Sequence, residues 1–522
     1  MDNLSNPRDM RQEANKILSD NELSESLGFL FYTQKSVYFY DAGTGRVICL
    51  ESEKEKSLFS VLFDKSDQQT GVDYQQKINN GQYDDVLDEV KVLDFWRNGH
   101  AKELYSVPHT NIETYLDHRI SQLILELTER CNLRCKYCIY NANCNLNRNF
   151  GNRDMPQETA FSAIDFVFSH SAEKVSITFY GGEPLLMFPL MKECIEYALK
   201  KKQESNKEVS FSFTTNLTLM TAEYAQYFAS LPRISILCSL DGPQDIHDAW
   251  RQYPDGSGSF EKAMAGFKML FLAFKEKGKT GLSINGVFAP PYTMERIDRI
   301  SEFYESLKLP EGSNCEISYP STGSVDDNLE IQERLNDFKQ SGKRGDFVHP
   351  LAAWENDRIK EQNALPKERL NHYSLVKSLH SIHKRPLFLK ASIDRIPFNG
   401  CCPPGSRRLY VTTEGNFKVC ERIGNSPVIG NIQNGFDLET IKKYFIDEYQ
   451  KLSISNCQKC VINELCGICY AACFDEKGLD IKKKQLVCAA ERSRVKDNLK
   501  KYYEMLEEHP SEIDKLNKLV TS

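Results

Sequence analysis

Between His118 and Ser321, strand-like and helix-like runs alternate, and this alternation constrains the fold more than any other feature of the chain. The strand runs are Gln122–Leu127, Val175–Phe179, Val209–Thr214, Ile234–Ser239, Leu282–Phe288 and Cys315–Tyr319. Helical patterns fill the gaps at Pro156–Phe168, Leu186–Lys201, Ala222–Ser230, Phe260–Lys275 and Met294–Leu307. Strands joined through helices run parallel, because only a long crossover returns the chain to the same end of the sheet. Pro156 suits a first helical position, where its missing N–H costs nothing. Six β/α units fall short of the eight that close a barrel. The expectation is therefore an α/β fold built on an open, partial (β/α)6 barrel, with its site at the carboxyl ends of the strands.

The flanks read differently. Residues 1–114 hold two extended runs, Leu30–Tyr40 and Arg46–Leu50, joined by the glycine-punctuated turn Asp41-Ala42-Gly43-Thr44-Gly45. Helical patterns follow at Glu55–Phe63 and Tyr83–Trp96. Strands and helices at this size suggest a small winged-helix-like domain. The barrel is assigned to residues 115–321. Residues 322–399 read as a charged helical connector, 400–490 as a cysteine-rich domain, and 491–522 as a charged helical tail.

Composition narrows the function classes. The net charge of −7 argues against a nucleic-acid-binding surface, which carries a basic excess. No apolar run approaches the roughly 18 residues that span a bilayer, so no membrane is expected. The polar start, MDNLSNPRDMRQEANK, lacks the apolar segment of a secretory signal. The expected location is the cytoplasm, where seventeen cysteines do not form a disulfide framework. Metal binding or catalysis is the better reading.

Cys131-Asn-Leu-Arg-Cys135-Lys-Tyr-Cys138 directly follows the first barrel strand. This C-x₃-C-x₂-C run offers three thiolates from one loop. A cubane held by three leaves one iron open, and an open metal site is where substrate chemistry takes place. Zinc is the other reading, with Cys144 as a fourth ligand. Cys49, Cys194, Cys238 and Cys315 sit on strand or helix patterns and are expected to be packed thiols.

The motif and its placement resemble the radical S-adenosylmethionine (SAM) superfamily over about Arg119–Tyr319. Tyr137 stands where that family places an aromatic against the adenine. Tyr180-Gly181-Gly182-Glu183-Pro184, after the second strand, resembles the family's GGEP motif, which holds the SAM amino group. Glycines let backbone approach a ligand closely, and a carboxylate accepts from an ammonium through a charge-assisted bond. Thr215 and Asn216 follow the third strand; Ser239 and Asp241 follow the fourth, where the family contacts ribose and the methionine moiety. Arg251 is a candidate partner for the SAM carboxylate. The resemblance implies a [4Fe–4S] cluster on Cys131, Cys135 and Cys138 that binds SAM. It also implies a 5′-deoxyadenosyl radical that abstracts hydrogen from substrate, and an electron donor such as flavodoxin or ferredoxin.

The carboxy-terminal cysteines resemble the SPASM extension. Cys402 precedes the G-x₄-C run Gly415–Cys420, and Cys457-x₂-Cys460-x₅-Cys466 matches the next step. The pattern then departs: Cys469 comes one residue early and Cys473 three late. The resemblance implies one auxiliary cluster on Cys457, Cys460, Cys466 and Cys488. It implies a second on Cys402, Cys420 and either Cys469 or Cys473, with Cys401 or the spare thiol as a fourth ligand. Paired C-x₂-C units also read as zinc ribbons. Glu421, just after the G-x₄-C cysteine, occupies the position of a catalytic Asp in anaerobic sulfatase maturases.

The winged-helix-like domain resembles the peptide-recognition element of enzymes that modify ribosomally made peptides, in which a leader peptide adds as a strand to a sheet edge. The order of leader-binding domain, radical SAM barrel and SPASM extension resembles the sactipeptide and ranthipeptide maturases. The implied activity is thioether formation, Cys sulfur to carbon, in a precursor peptide. Formylglycine formation of the sulfatase-maturing type, carbon–carbon crosslinking and epimerisation are alternatives, and a zinc-rich non-catalytic scaffold is another.

Overall fold

The computed structural model describes residues 9–64, 71–97, 101–105, 112–116, 119–141, 148–205, 207–320, 350–362, 364–388, 393–397, 402, 404–469, 471, 473–475 and 477–517. Alternating apolar residues build its central sheet. In Glu208–Thr215, Val209, Phe211 and Phe213 turn into the core while the residues between them lie nearer solvent. Counting from the amino terminus, the six barrel strands are β5 (Ile120–Thr128), β6 (Ser171–Gly181), β7 (Glu208–Thr215), β8 (Ile234–Ser239), β9 (Leu282–Val287) and β10 (Cys315–Ser318). They are parallel and neighbour one another in chain order. The helices between them that matter below are α7 (Gln157–His170), α8 (Phe188–Glu204), α9 (Ala222–Ser230), α10 (Gln244–Trp250), α11 (Phe260–Glu276) and α12 (Met294–Ser306). This is the expected mixed α/β partial barrel. Pro156 is the N-cap, one residue earlier than expected, and the helix starts at Gln157.

The first barrel strand is not an edge. β12 (Arg408–Val411) pairs with β5 in parallel, Tyr410 opposite Ile124, and buries Leu409 and Val411 completely. β13 (Asn416–Lys418), β14 (Gly430–Asn431) and β15 (Gly435–Phe436) continue the sheet antiparallel. The cysteine-rich region is thus built onto the barrel sheet through backbone hydrogen bonds.

At the amino terminus, α1 (Met10–Ser19) and α2 (Asn21–Leu27) precede an antiparallel sheet of β1 (Gly28–Tyr32), β2 (Val37–Asp41) and β3 (Val47–Leu50). The run Leu30–Tyr40 is therefore two strands. Thr33 breaks it: its N–H donates to the Ser36 carbonyl at 3.1 Å, and its hydroxyl accepts from the Ser36 N–H at 2.9 Å. α3 (Glu53–Phe63), α4 (Gly71–Asn79) and α5 (Asp84–Val92) complete the unit. One face of the sheet, with Phe39, packs with Phe59, Phe63 and Trp96 in a core of its own. The other face, with Phe29, Phe31, Tyr38 and Tyr40, belongs to the main core. Cys49 on the edge strand β3 is exposed rather than packed; Cys194, Cys238 and Cys315 are buried as expected.

The partner of that second face comes from the far end of the chain. α13 (Pro350–Gln362) and α14 (His372–His383) occupy the connector; residues 321–349 lie outside the described set. The long helix α15 (Ile481–Glu508) begins ten residues before the expected tail and is followed by α16 (Pro510–Leu516). Asp480 caps it, accepting from the Lys482 and Lys483 N–H groups. α15 crosses the amino-terminal sheet: Tyr503 packs on Phe31 and Tyr38, and the Tyr38 hydroxyl donates to Glu507 at 2.8 Å. Lys501 on the same helix is buried against Glu355 at 3.0 Å and Asp497 at 3.1 Å. No helix among the described residues is long and apolar enough to cross a membrane.

Removing one partner of a buried pair leaves the other charge uncompensated, at a cost of about 3–5 kcal/mol. Lys501→Met should lower the thermal-unfolding midpoint, and adding Glu355→Leu should restore part of the loss, since Asp497 still lacks its cation. An unchanged midpoint in Lys501→Met would show that the pair does not anchor α15.

Candidate active site at the carboxyl ends of the barrel strands

The C-x₃-C-x₂-C loop leaves β5 at Thr128 and is clamped from two sides. On one, the Gly182 N–H donates to the Thr128 carbonyl at 2.8 Å and the Glu183 N–H to that of Arg130 at 3.0 Å. The approach is so close that a Cβ on Gly182 would stand 2.0 Å from the Arg130 oxygen, and Gly181 has φ +125°. Both positions require glycine. On the other side, the Arg134 N–H donates to Gln252 at 2.7 Å and the Lys136 N–H to Trp250 at 3.0 Å. The glycines thus brace the cysteine loop, a role that the motif alone does not disclose.

The remaining loops interlock around this clamp. Glu183 is buried; its Oε1 accepts from the Leu185 N–H at 3.1 Å and the Thr215 hydroxyl at 2.8 Å, its Oε2 from the Asn216 N–H at 2.8 Å. Burial pushes its carboxyl up to about 7, against the pull of these donors. Pro184 opens the short 3₁₀ turn that follows. The Asn216 amide reaches Asn132 at 2.9 Å and lies 3.9 Å from the Cys131 sulfur. Desolvation pushes the Cys131 and Cys135 thiols up to about 12, so a metal would have to supply the positive charge that makes them thiolates. Asp241, beyond Ser239 and the end of β8, accepts from the Tyr137 hydroxyl, from Arg251 Nε at 2.9 Å and from the Val287 N–H at 3.0 Å. Arg251 is therefore already ion-paired, and Tyr137 contacts both its guanidinium and the stacked ring of Trp250.

All ten expected cofactor-binding residues lie at this end of the sheet, but several are engaged with one another. Sequence reasoning missed Asn132, Trp250 and His247. Burial pulls His247 down to about 4, leaving a neutral ring between the Asp241 N–H at 3.4 Å and the Ser259 hydroxyl at 3.1 Å. A histidine on a short amphipathic helix carries no signal of such a role, whereas Asn132, inside the cysteine motif, does.

The carboxy-terminal cysteines form a second group. Charge on Cys457 and Cys460 is felt at both Cys466 and Cys488. Charge on Cys469 is felt at Cys420. Cys473 is fully buried, and its thiol donates to the Cys469 carbonyl at 3.2 Å. Cations point at three of these sulfurs: Lys484 at Cys457 (3.3 Å), Arg492 at Cys460 (3.9 Å) and Arg407 at Cys402 (4.0 Å). Glu421 is held by Arg408 at 3.1 Å and by Arg422 at 3.7 Å. The Tyr180 ring meets Tyr410 of β12 edge-on, and burial together with charge on Glu421, Cys138 and Cys420 pushes its hydroxyl up. Cys401 and Cys144 lie outside the described residues. Among the described residues no three His, Cys, Asp or Glu side chains gather closely enough for a single metal ion. A cubane spreads its thiolates over separate irons. The donor set fits such a group: thiols in the barrel loop, and a second set of thiols at three of whose sulfurs cations are aimed.

The Radical SAM superfamily model matches residues 125–304, which span the clamp and five of the six barrel strands. Residues 125–304 are a Radical SAM domain. Proteins of this family use a [4Fe–4S] cluster and SAM. Among curated relatives, the cysteine-type anaerobic sulfatase-maturating enzyme of Clostridium novyi is 31% identical over 36% of this chain and 48% of its own length. The radical SAM cyclopropyl synthase TigE of Paramaledivibacter caminithermalis is 22% identical over 76% of this chain and 78% of its own. The chain spans about half or less of the length of the first curated relatives it matches. A solved structure of anSMEcpe with bound AdoMet shares the fold, with a TM-score of 0.52 at 19% identity over 77% of this chain and 96% of that one.

Gly182→Ala should displace the cysteine loop, because its Cβ meets backbone rather than a movable side chain. The expected result is loss of iron at this loop alone, about four per chain if it holds a cubane. Iron content equal to the parent's, with SAM cleavage retained, would show that the brace is dispensable.

Proposed function

We propose that the chain is a radical SAM maturase that forms thioether crosslinks in a ribosomally made precursor peptide. The observation that carries this reading is that β12 seats the cysteine-rich region on the first barrel strand, so that Tyr410 meets Tyr180 of the glycine turn edge-on. A substrate side chain there would lie between the two cysteine groups. Cys131, Cys135 and Cys138 would hold the SAM-binding cluster. When bound, that group supplies reductive cleavage of SAM to a hydrogen-abstracting radical. Tyr137 and Trp250 offer an aromatic wall, Glu183 fixes the loop carrying Thr215 and Asn216, and Asp241 holds Arg251 in place.

Cys457, Cys460, Cys466 and Cys488 would hold one auxiliary cluster, and Cys402, Cys420 and Cys469 another. Cys469 is preferred to Cys473 because the Cys473 thiol is fully buried and turned back to the Cys469 carbonyl. The amino-terminal sheet supports a peptide substrate: β1 and β3 are its edge strands among the described residues, and an edge strand accepts an extended peptide. The anSMEcpe match covers 77% of this chain, and the remainder is comparable in length to residues 1–114. An electron donor of the flavodoxin or ferredoxin type completes the reading.

A second reading, formylglycine formation, is favoured by Glu421. Its carboxylate directly follows Cys420, and sulfatase-maturating enzymes are among the relatives. Mass spectrometry of a Cys-containing precursor peptide co-expressed with the enzyme separates the two. Thioether formation removes two hydrogens per bridge and leaves the sulfur in the peptide. Formylglycine formation replaces the sulfur with oxygen, and that product would overturn the thioether reading. Glu421→Gln should strongly reduce product only in the formylglycine case.

A further inference from the structure

Helix α15 carries a basic residue one turn before and one turn after a cysteine: Lys484, Cys488 and Arg492. Residues four apart share a helix face, so this face presents one thiol between two cations. Opposite it stands the Cys457-x₂-Cys460 turn. Lys484 Nζ lies 3.3 Å from the Cys457 sulfur, and Arg492 Nη1 3.9 Å from that of Cys460. The two cations differ in their surroundings. Lys484 is only 4% exposed, and its ammonium is held by the Ser453 hydroxyl, by the Tyr449 hydroxyl at 3.2 Å and over the Tyr449 ring at 4.8 Å. Arg492 is exposed. The charge on Lys484 also reaches Cys473 and Cys488, favouring the thiolate form of each.

We infer that Lys484 is a positioning residue that fixes a positive charge against the Cys457 sulfur, raising the reduction potential of the cluster that Cys457, Cys460, Cys466 and Cys488 would hold. The inference rests on the proposed assignment of that cluster. Hydrogen bonds to the sulfurs and local charge are what set the potential of an iron–sulfur centre. Reduction adds an electron, and a buried ammonium stabilises the added negative charge with little screening by salt. The hydroxyls of Ser453 and Tyr449 orient the ammonium as second-layer partners orient metal ligands elsewhere. An exposed guanidinium at 3.9 Å should contribute less, since water screens it.

The test uses full-length protein, reconstituted anaerobically in a Cys131→Ala, Cys135→Ala, Cys138→Ala background that removes the barrel centre. A potentiometric titration followed by electron paramagnetic resonance reads the midpoint of the signal that disappears in Cys457→Ala. Lys484→Met should shift that midpoint to more negative potential with iron content unchanged. Lys484→Arg should stay close to the parent, and Arg492→Met should shift it less than Lys484→Met. If Lys484→Met loses iron, Lys484→Gln, a neutral donor able to reach the same hydroxyls, should show the negative shift. Midpoints equal to the parent's in the neutral variants would overturn the inference. A parent with no Cys457-dependent signal would instead overturn the cluster assignment, and the inference with it.

Discussion

The buried carboxylate of Glu183 accepts from two N–H groups and one hydroxyl that belong to two different loops, while its own N–H donates into the cysteine loop. Burying a charged group without such donors would cost several kcal/mol, on the order of the penalties measured for unpaired polar groups. Three donors offset part of that cost, and they tie Thr215, Asn216 and the 3₁₀ turn Pro184–Met187 to one carboxyl group. The site therefore depends on a residue whose acceptor capacity is largely used by the protein itself. Any ligand ammonium would share a carboxylate that the fold already holds in place.

The same economy governs the long-range architecture. β12 adds the cysteine-rich region to the barrel sheet, so Tyr410 comes to rest beside Tyr180. α15 then runs from Cys488 to the amino-terminal sheet, where Tyr503 and Glu507 meet Tyr38. One helix thus joins a cysteine of the second group to the domain that would receive a leader peptide. Tyr40 of that domain, deep in the main core, lies within electrostatic reach of Cys460 and Glu464.

The barrel was legible in the sequence because strands of alternating burial, such as Glu208–Thr215, recur between amphipathic helices and leave a periodic trace. The cysteine loop and the Gly181–Pro184 turn were legible by their spacing. What the glycines touch was not, since Thr128 and Arg130 are brought near only by strand pairing. The break in Leu30–Tyr40 was hidden because Thr33 and Ser36 are compatible with both strand and turn. The strand β12 was hidden as well: four residues are too few to show a period. Nor does one-dimensional spacing tell that Cys469 acts on Cys420 while Cys473 points back to the Cys469 carbonyl, because that choice is made by the packing of the loop.

The central claim is that the loop of Cys131, Cys135 and Cys138 holds an iron–sulfur centre open to SAM. Electron paramagnetic resonance of the reduced, reconstituted protein, recorded with and without SAM, tests it most directly. A cubane signal that changes on adding SAM, and that vanishes in Cys135→Ala, is the result predicted. A spectrum indifferent to SAM, or one that survives that substitution unchanged, would contradict the account.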